Sequence, residues 1–185
     1  MSGQHEDLMT DIYKLQQQYY NVNNKNMIFK KAQKNECANI VSQKIGIELI
    51  LAQAIKILHR NQMIIDYTIL KTFTNPDNYN DINLFIAKHM SQCIQSFGSI
   101  EIHVNLDTLT ISAIERHRSA IVNFTEFGHE NGYTKFVTNL SFYNTPSFVS
   151  TGASLLHMLI PPELNKLVKF YNKHESKALL KLLYA

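Results

Sequence analysis

The chain has 185 residues, 45% of them apolar and 18% charged, with a formal net charge of +3. This balance excludes wholesale disorder and a strongly basic nucleic-acid platform, and it predicts one domain long enough to bury a real core. Lys25, Lys30, Lys31 and Lys34 come nearest to a basic cluster; they read as a solvated helix end or as a contact for phosphates or anionic lipid.

The N-terminus, MSGQHEDLMTDIYKLQQQYY, lacks the basic-then-apolar pattern of a signal peptide. No stretch reaches the ~18 uninterrupted apolar residues of a spanning helix. The expectation is a cytoplasmic protein, soluble or peripheral to a membrane, in which the sequons at Asn123 and Asn139 are chance matches. Cys37 and Cys93 lie far apart and outside any C-x-x-C pair, so they read as reduced, buried thiols.

In chain order, Leu8, Ile12, Leu15 and Tyr19 mark an amphipathic helix, and Asn21 to Lys25 a linker. Glu36 to His59 carries two apolar stripes and reads as one buried helix, although Ile45, Ile47, Leu49 and Leu51 also alternate. Met63 to Phe73 has the β-branched and aromatic content of a strand, and Asn75-Pro-Asp-Asn breaks it. Ile82, Ile86, Met90, Ile94 and Phe97 line a helix that Gly98 stops. Ile100 to Leu106 alternates strictly, apolar against the polar Glu101, His103 and Asn105, and is a strand. Ser112 and Glu115 read as the capping box of a helix running to Phe127, with a loop around Gly128 and Gly132. A strand from Phe136 to Tyr143 ends at Asn144-Thr-Pro146. There follow an apolar helix from Ser147 to Met158, a helix start at Pro161-Pro162-Glu163, a short strand from Leu167 to Tyr171 and a helix from Glu175. Consecutive β-α-β units make this an α/β fold with a mostly parallel sheet and flanking helices.

Residues typical of catalysis form no constellation. No phosphate-cradling glycine loop, H-E-x-x-H or G-x-S-x-G is present. His103 and His117 read as surface or hydrogen-bonded structural residues, and Asp107 as a strand-end turn residue not placed beside Asp66. The expectation is a protein without catalytic residues, metal or cofactor.

Asn105, Leu106, Leu109 and Thr110 follow the strand in a pattern that resembles the core of CRAL-TRIO lipid-binding domains, as in phosphatidylinositol-transfer proteins, with Thr108 at the family's usual glycine. Phe142-Tyr143-Asn144-Thr145-Pro146-Ser147-Phe148, the apolar run Leu155 to Ile160, and Pro161 to Lys166 repeat the family's order of strand, Asn-x-Pro, apolar helix, proline and lysine. The resemblance covers Met63 to Tyr171. It departs at Lys135, near which members carry an acidic residue, and in a shortened C-terminus. STAS domains share the Asp-Leu strand but lack the Asn-x-Pro and double-proline layout.

The resemblance implies a helical N-terminal region over residues 1–60 and a CRAL-TRIO-like domain over 61–185, the two forming one compact unit. A sheet face and its helices would enclose an apolar cavity for a phospholipid or other lipid, gated by residues 147–160. Tyr67, Thr110, Tyr143, Phe148, Leu155, Met158 and Lys166 are the expected ligand-binding residues, with Lys166 as a point charge for a phosphate. Partners would be the lipid and a transient membrane surface, with no nucleic acid. The alternative is a cavity-less interaction or structural module. For that, Leu179, Leu180, Leu182 and Leu183 near the C-terminus offer a patch for a protein partner or self-association, or else dock on the protein's own sheet.

Overall fold

The computed structural model describes residues 2–24, 28–150 and 160–185. The first apolar stripe forms α1 (Ser2–Asn23), which buries Ile12 and Tyr19. The Tyr19 hydroxyl donates to the Glu36 carboxylate at 2.7 Å and so ties α1 to α2 (Lys30–Ile45). The single helix expected over 36–59 is three elements instead: the rest of α2, then α3 (Ile47–Ala54) and β1 (Ile55–Ile57). Gly46 separates the helices at φ 95° and ψ 121°, a conformation that L side chains rarely adopt. The β-branched Ile55 and Ile57 then pair antiparallel with Ile65 and Met63 of β2 (Gln62–Asp66).

The strand expected over 63–73 stops at Asp66. Its carboxylate accepts from the Thr68 backbone N–H (2.8 Å) and the Thr68 hydroxyl (2.6 Å), which caps α4 (Tyr67–Phe73). Asn75 and Asn78 cap the turn before α5 (Tyr79–Phe97), which Gly98 closes in the left-handed conformation at φ 70°. β3 (Ile100–Asn105) and α6 (Ile111–Glu130) follow. The N-cap of α6 is Thr110, whose hydroxyl accepts from the Ala113 N–H, rather than the expected Ser112; Gly128 lies inside the helix and Gly132 makes the turn. β4 (Val137–Tyr143) and α7 (Ser147–Ser150) come next, and of the helix expected over 147–158, residues 151–159 lie outside the described residues. A 3₁₀ turn (Pro162–Leu167), β5 (Val168–Phe170) and α8 (Lys173–Leu183) complete the chain.

The sheet runs in the order β1-β2-β3-β4-β5, with β2 to β5 parallel and β1 antiparallel. Register fixes two faces. Met63, Ile102 and Leu140 are neighbours across one, as are Ile65, Val104 and Phe142. The other carries Ile64, His103 and Ser141, then Asp66, Asn105 and Tyr143. Leu183 of α8 buries itself on Ile64 and Tyr143, with Leu179 and Leu180 packed alongside, so the C-terminal leucines dock on the chain's own sheet; Leu182 and Tyr184 face outward. One apolar cluster extends from Ile12 to Leu164, across the N-terminal helices and the sheet.

Gly46→Ala tests the backbone hinge. A Cβ there meets no atom within 4 Å, so the cost is conformational, on the order of 1–3 kcal/mol. The urea midpoint should fall with an unchanged slope.

Candidate functional site

Between the first sheet face and helices α5 and α6 lies a cavity of about 310 Å³. Met63, Ile65, Ile102, Val104, Leu140 and Phe142 form its floor. Ile82, Ile86 and Met90 of α5 recur every four residues and make one wall; Ile114, Ile121 and Phe124 of α6 make the other. The same stripe of α6 places small residues at Ala113, Ala120 and Gly128, so helix and sheet meet without filling the space. Ile160, Pro161 and Leu164 complete the lining.

Polar groups gather at the ends. One end carries Tyr67, Lys71 and Thr74 of α4, Tyr79 and Asn83 of α5, and His117 of α6. Here the Lys71 ammonium donates to the Thr108 hydroxyl. At the other end Thr125, Tyr133 and Thr134 line the wall, and the Tyr133 and Ser91 hydroxyls bond at 2.8 Å.

His117 is buried, with both ring nitrogens engaged. Nε2 lies 3.0 Å from Arg116 Nε and Nδ1 lies 2.9 Å from the Tyr79 hydroxyl. Arg116 can only donate, so Nε2 accepts and Nδ1 carries the proton given to Tyr79: a neutral imidazole. Burial, then the Arg116, Lys31 and Lys34 charges, push its pKa from 6.5 down to about 4. Burial also raises the Tyr67 and Tyr79 phenols, against an opposing pull from Arg116.

The expected binding residues divide sharply. Tyr67 lines the cavity. Phe148 packs against the same core but is not part of the lining. Thr110 is exposed and spends its hydroxyl on capping α6. Tyr143 lies on the opposite sheet face, where its hydroxyl is 2.9 Å from His103 Nδ1 and its ring stacks on Tyr171. Lys166 is exposed on the 3₁₀ turn and does not line the cavity. Leu155 and Met158, with most of the expected gate, lie outside the described residues. The α5 stripe and His117 line the cavity although the sequence marked them only as helix face and structural histidine; their four-residue spacing was the available signal.

At the carboxyl ends of the strands, Asn105 holds the network together. Its amide nitrogen donates to the Asp66 carboxylate at 3.3 Å, and its oxygen accepts from the Asp107 N–H (3.1 Å) and the Asn144 amide (2.9 Å). Asn144, at φ 51°, donates its backbone N–H to the buried Ser176 hydroxyl of α8 at 2.7 Å. The Asn-x-Pro block therefore fastens β3, β4 and α8 together. Buried His103 has Nε2 3.6 Å from the Glu101 carboxylate; burial lowers its pKa while Glu101 pulls the other way. Among the described residues, no three His, Cys, Asp or Glu side chains are grouped to hold a metal, and no helix is long and apolar enough to cross a membrane. No family model matches the chain, and no curated protein or solved structure matches it.

The depressed His117 pKa makes stability acid-sensitive. Above pH 6.5 the ring is neutral folded and unfolded; between 6.5 and about 4 only the unfolded chain takes up the proton, so stability falls as pH falls. The full effect is about 3 kcal/mol, reached below pH 4. His103 contributes in the same direction. Denaturant titrations at pH 7 and 4.5 should show a smaller acid loss for His117→Gln, which can still bond to Arg116 and Tyr79, than for the parent chain.

Proposed function

We propose that the protein binds a hydrophobic ligand, a lipid, without doing chemistry on it, in the cavity between the sheet and α5 and α6, and that its fold is a divergent relative of the CRAL-TRIO domain. The observation that carries the proposal is the cavity itself: an apolar space with polar side chains confined to its two ends. Its volume lies at the small end of the ~300–1,000 Å³ of ligand pockets. A filled interaction module would have no use for it. Two backbone features support the kinship. Thr108, at the family's glycine, stands at φ 65°, a conformation that favours glycine, and the Asn-x-Pro block ends a sheet strand at Asn144.

Size favours one chain over two. At ~30 Å³ for a water-sized group, the space holds about ten methylenes. Tyr79 and Ser91, at the two polar ends, are twelve residues apart on α5, about 18 Å by helix rise. That is near the ~15 Å of one acyl chain in half of a bilayer core. At ~0.8 kcal/mol per buried methylene, the gross gain is about 8 kcal/mol, enough for micromolar binding before the costs of association. The expectation therefore narrows from a phospholipid to a single-chain lipid.

Native mass spectrometry of the purified chain should reveal a co-purified or added single-chain lipid, and diphenylhexatriene should fluoresce on titration. Ala120→Phe, which projects a ring into the lining, should weaken the probe by about tenfold, a loss comparable to that of a few buried methylenes, with circular dichroism unchanged. A parent chain that takes up neither lipid nor probe sinks the proposal.

A further inference from the structure

Arg116 occupies an unusual position. It is half-buried, its Nε donates to His117 at 3.0 Å, and His117 in turn lines the cavity and bonds to Tyr79. Among the described residues no carboxylate lies within ion-pair distance of Arg116, Lys31 or Lys34. The Arg116 charge bears on the phenols of Tyr20, Tyr67 and Tyr79 and on Lys34, and Lys30 adds to the pressure on Lys34. A half-buried guanidinium with no carboxylate partner among the described residues is a place where a bound anion would be stabilised.

We propose that Arg116, which stands behind the lining residue His117 rather than in the lining itself, forms with His117, Tyr79, Lys31 and Lys34 an anion site beside the polar end of the cavity, for the carboxylate or phosphate head of a single-chain amphiphile. The inference rests on the lipid-binding reading and adds the chemical class of the ligand. The parts are suited to the task. His117 Nε2 takes one guanidinium N–H and fixes the side chain, which leaves the terminal N–H groups to form a bidentate pair with two oxygens of one head group. Tyr67 supplies a hydroxyl at the same end. The lysines of α2, read from sequence as either a solvated helix end or an anion contact, come to bear on this end through the packing of α2 on α4. The acyl chain would then lie along α5 toward Ser91 and Tyr133.

The test uses the full chain with cis-parinaric acid and its methyl ester, two single-chain fluorescent probes that differ in the head. At neutral pH the acid should bind more tightly by about tenfold or more, the equivalent of one charge-assisted hydrogen bond. Added salt should erode the acid's advantage and leave the ester unchanged. Arg116→Met should abolish the preference while the ester still binds, and Arg116→Lys should restore part of it. The exposed double variant Lys31→Ser/Lys34→Ser, which carries little risk to folding, should reduce the preference too. Competition by dodecanoate against dodecyl phosphate then tells a carboxylate head from a phosphate head; preference for either over dodecanol supports the anion site. Equal binding of acid and ester, or a preference that survives Arg116→Met, overturns the anion site while leaving apolar binding intact. Failure of acid and ester alike would overturn the cavity reading beneath it.

Discussion

The two-residue period of β3 is the constraint on which the rest of the structure depends. β3 is hydrogen-bonded to parallel strands on both sides, so its alternation is imposed on the sheet. Ile100, Ile102 and Val104 commit one face to apolar packing; Glu101, His103 and Asn105 commit the other to polar bonding under α8. A slip of one residue would put His103 among the isoleucines and Ile102 beneath Tyr143. Every feature of interest depends on which of these faces it adjoins. The cavity belongs to the first, and the Asn105 network and the His103–Tyr143 pair to the second.

The strand order sharpens this division. Many parallel sheets bind ligands where the order of strands reverses and a crevice opens between adjacent crossovers. Here β2 to β5 follow one another across the sheet without reversal, so no such crevice exists. The available room lies instead beneath α5 and α6, where Ala113, Ala120 and Gly128 keep α6 from filling the gap that Ile82, Ile86 and Met90 leave. An interior is normally packed to crystal-like density, and an unfilled space forfeits dispersion contacts on every side. A cavity of about 310 Å³ is thus a standing cost in the empty protein, one that a bound apolar chain removes.

Much of the fold was legible in the sequence because it rests on periodicity. β3, α5 and the stop at Gly98 follow from spacing alone. The failures came where a single side chain overrode a run of propensity. Met63 to Phe73 is β-rich throughout, yet the Asp66 carboxylate caps Thr68 and turns its second half into α4. Ile55 continues a helical stripe, but the edge of β2 recruits Ile55 to Ile57 into β1. The site was less legible for a related reason. Tyr143 and Lys166 were assigned by analogy of order along the chain, whereas cavity membership depends on facing, and Tyr143 faces the wrong side of the sheet. His117 read as a surface or hydrogen-bonded structural residue, because nothing local shows that charges and phenols of α1, α2, α4 and α5 bear on it and on Arg116.

That convergence also bears on how the protein balances stability against binding. Among the described residues no carboxylate pairs with the half-buried Arg116 guanidinium, although a neighbouring glutamate would supply one. Instead Arg116 is given a neutral acceptor, His117 Nε2, which fixes the direction of the charge without cancelling it. Because burial and the same cations keep His117 neutral, the acceptor persists across the physiological range. A carboxylate in that position would have compensated Arg116 permanently and left nothing for a ligand. On the proposed reading, the imidazole leaves the guanidinium charge uncancelled beside an apolar cavity, and a molecule with a greasy chain and an anionic end would suit both.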